Sequence, residues 1–491
     1  MNLEQWCKID ESISIAENDE QYKQYAGFDH NEKLMERLAE LRLNNSKIFI
    51  EYLSYPTPLL LGAIEDIAYS KTKNLELELH NSRNKLIVSS KHTFHGIPVN
   101  WNTWRQFNSK EKNDVSRKEV FDEFINKTHI ISPLIESRFS SIKETYKEYE
   151  LAIKEDSTQV KQRLDPLLGY LKNENISYDY LVEFVKFLGQ KARNPFREAL
   201  NEVSKTILNR EAEYYDDFYF FRNKIYSDIE SRLSINPLFE VKKILRAMEF
   251  DLSSVHFDIE DRKNKYPSPI CFFVQIPHDI RVLYKSESPY FDLQGCFHET
   301  GHAMHASSID ENNPHWYKYR ISMGITEIFS ILFERITKDR TYLQSLFGQE
   351  NDVIINKICA RNKFLELFFV TFYAANSLMK LEYWNRNLTV DEACEVYTRL
   401  MKEYTGFKMP GQYWLLHHIL PESIMYVPSY LLAAVRAAEL ESHMRNKFGD
   451  TWWYNKESGK DLREIMKPGS QIDLSIFSQL DPTIFLKEII K

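Results

Sequence analysis

The 491-residue chain carries a net charge of −8, with 43% hydrophobic and 27% charged residues. That balance excludes a disordered chain, and without a long basic run it argues against a nucleic-acid groove. Its 14 glycines fall well under the usual share of about 7%, so long helices are favoured over tight hairpins and a mainly α fold is expected.

From the N-terminus, residues 1–10 offer neither the basic patch nor the apolar core of a signal peptide. No apolar run approaches the roughly 20 residues that span a bilayer. The five cysteines (Cys7, Cys271, Cys296, Cys359 and Cys394) lie far apart and form no CxxC pair. They read as free thiols in a reducing compartment. Cytoplasmic localisation, with no membrane and no nucleic-acid partner, is therefore expected. A homodimer is compatible with the sequence.

Residues 1–240 read as successive amphipathic helices, with 34–43 and 178–188 as examples. They carry no chemical signature and are expected to form a scaffold and one wall of a cleft. The texture changes near Tyr266. Ile270, Cys271, Phe272, Phe273 and Val274 form an apolar, β-prone run ended by Pro277, which predicts a strand. Ser288 with Pro289 then signals a helix start. Further on, Thr389 with Glu392 makes a capping box ahead of a helical run that ends before Gly406. A division near 240 separates the N-terminal part from a catalytic part, 241–491.

Chemistry concentrates in His298-Glu299-Thr300-Gly301-His302. On a helix, positions i and i+4 share one face, so the two imidazoles could hold one Zn²⁺ while Glu299 reaches a water beside it. Phe297, Ala303 and Met304 are apolar and predict a buried helix, where histidines need partners. A catalytic zinc needs a third protein ligand and an open position. The segment 321–336 supplies a candidate: Glu327, Ser330 and Glu334 stand off an apolar helical face, and a glutamate in such a helix needs a cation or a donor. Glu327 is the expected third ligand, and Glu334 is expected to orient a ligand histidine. His305, one turn past His302, is either a substrate contact or a polar helix-end residue.

These motifs resemble two zinc-peptidase families. His298 to His302, followed by Ser322-Met323-Gly324-Ile325-Thr326-Glu327 with Ser330 and Glu334, is similar to the carboxypeptidase Taq family, in which the glutamate of the second run is the third ligand. Asp279-Ile280-Arg281-Val282 resembles that family's Asp-x-Arg-Ile segment. His418, Tyr426, Pro428, Ser429 and Tyr430 are spaced like its downstream His … Tyr-x-Pro-Ser-Tyr block. The thimet-oligopeptidase-like family is also similar, through His305 and a histidine with a tyrosine twelve residues on, here His418 and Tyr430. The resemblance covers about residues 266–440. It implies a two-lobed helical fold with a deep cleft and a small sheet beside the active site. It also implies one zinc per chain and short peptide substrates, cut as an oligopeptidase or a metallocarboxypeptidase. Glu299 would be the base, Tyr430 and His418 would assist catalysis, and Tyr426, Arg281 and His305 would bind substrate. The sequence departs from the Taq pattern in three places. Ile276-Pro277-His278 stands where His-Pro-Phe is expected, His305 replaces a tyrosine, and the arginine-bearing segment has no match in 369–376. The alternative reading is an inactive peptide-binding protein of the same fold, against which an intact Glu299 argues.

Overall fold

Helix-forming composition gives helices along most of the chain, with two small sheets between them. The computed structural model describes residues 3–52, 57–149, 165–216, 219, 226–230, 233–262, 264–266, 268–285, 289–416, 425–477 and 480–490. The fold is mainly α, as the composition implied. The runs at 34–43 and 178–188 lie inside the longer helices Glu32–Tyr52 and Tyr178–Leu208. Ser288 lies outside the described residues, and the helix it was read to cap is described from Pro289.

The chain divides into two compact units. One joins residues 1–70, 229–360 and 432–485, and the other joins 71–228, 361–431 and 486–491. Each takes segments from both sides of residue 240, and the second segment of the first unit opens at Ile229.

The first unit holds the larger sheet, in the order β3 (Val255–Asp258), β5 (Asp279–Leu283), β4 (Ile270–Gln275). β3 runs parallel to β5 and β4 antiparallel to it, with a bulge between Phe273 and Gln275. β4 thus forms one edge. The period of two along it separates two jobs. Ile270, Phe272 and Val274 pack with Tyr22 and Ala26 of the Leu3–Ala26 helix. Cys271 and Phe273 alternate with them and take the opposite face.

Beside this sheet the Pro289–Ser308 helix packs against the Met323–Lys338 helix. Gly301 sets their distance: a Cβ there would stand 2.3 Å from the Phe329 carbonyl oxygen, so any side chain would force the helices apart.

A buried ionic cluster ties the first helices of this unit together. Asp10, 1% exposed, accepts from Arg42 at 3.1 Å, from His315 at 2.7 Å and from Arg320 at 3.4 Å. Arg320 also reaches Asp66 of the Thr57–Asn84 helix at 2.7 Å. Burial alone would raise the Asp10 carboxyl, but the His315 hydrogen bond and the Arg320 and Arg42 charges outweigh it and hold the group well below the usual carboxylate range.

The second unit has an aromatic core in which Trp104, Phe121, Phe124 and Tyr413 meet edge-on or stacked. A two-residue hairpin, β1 (Thr93–Phe94) with β2 (Ile97–Pro98), belongs to it. The Thr389–Glu392 capping box forms as read and starts the Val390–Tyr404 helix. One helical segment, Gln349–Arg386, is long and apolar enough to cross a membrane by length and composition, with 72% of its apolar window buried inside the protein. It departs from the expectation that no apolar run approaches that length, because polar residues are spread along it.

Asp10 yields a stability prediction. Its depressed folded pKa contributes stability that is fully present above about pH 4, near the unfolded value, and is lost as pH falls toward the folded value. Asp10→Asn removes the charge on which Arg42, Arg320 and His315 converge. It is expected to cost about 3–5 kcal/mol at pH 7, with the gap to wild type closing in acid. Thermal melts of both proteins across pH 3–7 measure this, and a pH-independent gap would refute the assignment.

Candidate metal centre

Two facing helices supply the cluster. His298, Glu299 and His302 lie on the Pro289–Ser308 helix, and Glu327, Ser330 and Glu334 on the Met323–Lys338 helix. The i, i+4 spacing sets the two imidazoles side by side, with ring centroids 5.1 Å apart. Both Nε2 atoms point at the same oxygen. Glu327 Oε2 lies 3.3 Å from His298 Nε2 and 3.5 Å from His302 Nε2. Ligand atoms of these three residues all lie within 4.8 Å of one another, and theirs is the one such group among the described residues.

Each ligand candidate is held from behind. Ser330 Oγ donates to Glu327 Oε2 at 2.7 Å and fixes the carboxylate. Glu334 Oε2 lies 2.9 Å from His298 Nδ1, so that nitrogen donates to it and Nε2 is turned toward Glu327. Lys338 pairs with the other Glu334 oxygen at 2.7 Å. Phe273 of β4 meets the His302 ring edge-on at 6.4 Å.

The charges are strongly perturbed. Burial would lower the His298 pKa, but the Glu327 and Glu334 carboxylates outweigh it and raise the pKa well above the ordinary value. His302 is pushed down to about 4, first by burial and then by the neighbouring His298 charge. Burial would raise Glu327, yet His302 and His298 draw it down to about 2. Glu299 goes the other way. Enclosure by protein lifts it to about 7, Glu327 and Glu334 add to the rise, and His298 and the Cys271 amide oppose it. That amide belongs to β4, which runs beside the Glu299 side chain.

This donor set fits a divalent cation. Two neutral nitrogens and one carboxylate are the ligand types of a catalytic zinc site. In tetrahedral coordination at about 2.0–2.1 Å, ligand atoms stand roughly 3.3–3.4 Å apart, close to the two Nε2–Oε2 separations. Three carboxylates crowd the two imidazoles, and Lys338 offsets one of them.

Four expected site residues lie elsewhere or are otherwise engaged. His305 is buried. It is 1% exposed, its ring lies 4.5 Å from Phe329, and burial depresses its pKa to about 3, so the substrate-contact reading is corrected to a core position. Arg281 is corrected too. Its guanidinium bonds Asp279 at 2.6 and 3.0 Å and Asp19 at 2.8 Å, and it lies over the Tyr22 ring, so all three of its nitrogens are engaged within the fold. Tyr426 and Tyr430 belong to the second unit, where their hydroxyls are 2.5 Å apart and Tyr430 packs edge-on against Tyr373. His418 lies outside the described residues. The reading from sequence missed Lys338, which the i, i+4 spacing from Glu334 could have revealed. It also missed the Cys271 amide, which no side-chain pattern reports.

Residues 238–471 match the model of peptidase family M3. The peptidase family M3 match spans β3, β4, β5 and both metal helices. No curated protein matches the chain. Among solved structures, Pz peptidase A with an inhibitor is similar at TM-score 0.64 and 16% identity, covering 98% of this chain and 88% of that one. Metallocarboxypeptidase 1 of Trypanosoma cruzi gives 0.59 and 14%, covering 98% and 96%. A putative oligoendopeptidase F from Bacillus anthracis gives 0.58 and 14%, covering 100% and 95%. At such identities these structures share the fold. Together with the peptidase family M3 match they bear out the resemblance to thimet-oligopeptidase-like metallopeptidases. The reaction class supported is peptide hydrolysis by a metallopeptidase.

The relay behind the ligands is testable. Glu334→Gln keeps the shape and removes the charge that sets His298, and it is expected to weaken zinc binding about 10–100-fold. His298→Ala and His302→Ala are expected to abolish it. Chelator competition on the purified proteins reads all three, and wild-type affinity in Glu334→Gln would show that Glu334 has no part in holding the metal.

Proposed function

We propose that this chain is a zinc-dependent oligopeptidase that cuts short peptides, with zinc held by His298, His302 and Glu327 and with Glu299 as general base. The observation that carries this reading is the convergence of two Nε2 atoms on one Glu327 oxygen, 3.3 and 3.5 Å away, with Glu299 beside the first ligand. In such a site zinc supplies Lewis-acid polarisation of a carbonyl and acidification of water.

The chain's own groups do the rest. Glu299, with its pKa lifted to about 7, is poised to accept a proton from the attacking water and return it to the leaving amine. Serving the chemistry rather than the metal, it favours an enzyme over an inactive binding protein. The free edge of β4 suits an extended peptide added as a further strand, which gives sequence-tolerant binding. Cys271 and Phe273 of that strand adjoin Glu299 and His302, so a peptide paired there runs past the base. Five free cysteines support a reducing, cytoplasmic setting.

Internal cleavage is favoured over C-terminal trimming because of Arg281. Recognition of a terminal carboxylate usually requires an arginine with free donors, and this one is committed to Asp279 and Asp19.

Two measurements test the reading. Glu299→Gln is expected to keep its zinc and lose hydrolysis of quenched-fluorescent peptides, and an active variant would assign the base elsewhere. Amidating the C-terminus of a good substrate should leave kcat/KM unchanged. A drop of about a hundredfold, roughly 2.7 kcal/mol of transition-state binding, would instead establish a carboxypeptidase.

A further inference from the structure

The short helix His315–Tyr319 is anchored on several sides, yet none of its residues enters the chemistry above. His315, 4% exposed, gives its Nε2 to Asp10 at 2.7 Å. Lys318 pairs with Glu11 at 2.7 Å, and Arg320, just past the helix, bridges Asp10 and Asp66. On another side the Tyr317 carbonyl lies against Gly469, where a Cβ would come within 2.2 Å of it. A helix this short has little stability of its own, so these contacts fix where it sits.

What this anchorage holds in place is Tyr319. Its ring lies on His315, with centroids 4.9 Å apart and planes 35° from parallel. Its hydroxyl accepts the Ile276 amide N–H at 3.0 Å. Ile276, 1% exposed, follows β4 directly, at the turn closed by His278 N–H on the Gln275 carbonyl. Nearer the start of the same strand, the Cys271 amide faces the Glu299 carboxylate. β4 thus runs beside the base near one end and is tied just past the other to Tyr319, and Tyr319 is referenced to the Asp10 cluster.

We infer that Tyr319 is a positioning residue for substrate, acting through β4 by fixing the far end of the edge along which the peptide backbone pairs. The inference rests on the peptidase reading and deepens it. The hydroxyl touches neither a metal ligand nor Glu299, so its contribution falls on peptide binding and not on the chemical step. By accepting the Ile276 N–H it also marks where strand pairing stops, which limits the edge offered to a peptide to Ile270–Gln275.

The test is Tyr319→Phe, which keeps the ring on His315 and deletes the acceptor. Losing one buried hydrogen bond that orders the binding edge is expected to raise KM for a short peptide about three- to tenfold. kcat should stay within about twofold and zinc content should be unchanged. Amide exchange at Ile276 should speed up. Lys318→Ala, which loosens the same helix and keeps the Tyr319 hydroxyl, is expected to lower Tm and to raise KM by less than Tyr319→Phe does. Unchanged KM in Tyr319→Phe, or a matching KM rise in Lys318→Ala, overturns the inference while the wild-type enzyme remains active. A wild-type chain that binds zinc and cleaves no peptide would instead overturn the reading beneath it.

Discussion

A single carboxylate, Glu327, 2% exposed and within 3.5 Å of two imidazoles, sets the arrangement of the catalytic region. Burying a charge in an apolar helix is costly unless it is paired and hydrogen-bonded. Glu327 meets that cost with His298, His302 and Ser330. Each of these must then be held in turn, so the requirement spreads outward. Glu334 fixes His298, Lys338 neutralises Glu334, and Gly301 lets the helices come close enough for all of these contacts to form together. A larger residue at 301 would separate donor from acceptor across the whole cluster while leaving every ligand in the sequence.

The sheet is bound into the same set of contacts through its backbone. β4 gives one face to the Leu3–Ala26 helix and the other to Glu299 and His302. The Asp10 cluster, far from these residues in sequence, fixes the first three helices and the His315–Tyr319 helix, and thereby the surroundings of the strand. Stability and function meet here in different currencies: ion pairs buried at Asp10 hold the frame, and one amide hydrogen bond at Ile276 passes its position on.

Much of this was legible in the residues. The i, i+4 histidines have a geometric meaning on any helix, and Glu327 stood out as an acid in an apolar run. The helix bearing it begins at Met323 and not at Ile321, because Ser322 is extended, with ψ 148°. β4 was readable from its β-prone run and is described as Ile270–Gln275. β3, four residues long with two polar side chains, gave no such signal. The fate of Arg281 could not be read, since Asp19 lies 262 positions away and pairing across that distance leaves no periodicity. His305 was misread for a related reason: a histidine one turn past a ligand looks available until Phe329 closes over it. The approach of the Cys271 amide to Glu299 was invisible because a backbone amide is the same at every residue.

Charge also explains why the cluster suits a dication better than a proton. With protons alone, His298 must carry the positive charge, and it can do so only by turning its Nε2 into a donor toward Glu327. His302, depressed to about 4, does not share that charge near neutral pH, and Glu299, lifted to about 7, is left partly protonated. A dication between the ligand atoms reverses each of these. It needs both Nε2 atoms as neutral acceptors, which the depressed His302 already provides and which the Glu334 contact at His298 Nδ1 permits. It also adds positive charge beside Glu299, which favours the carboxylate that accepts a proton. The side chains that leave the proton-balanced cluster strained are therefore the ones that would make the metal-balanced cluster a working base.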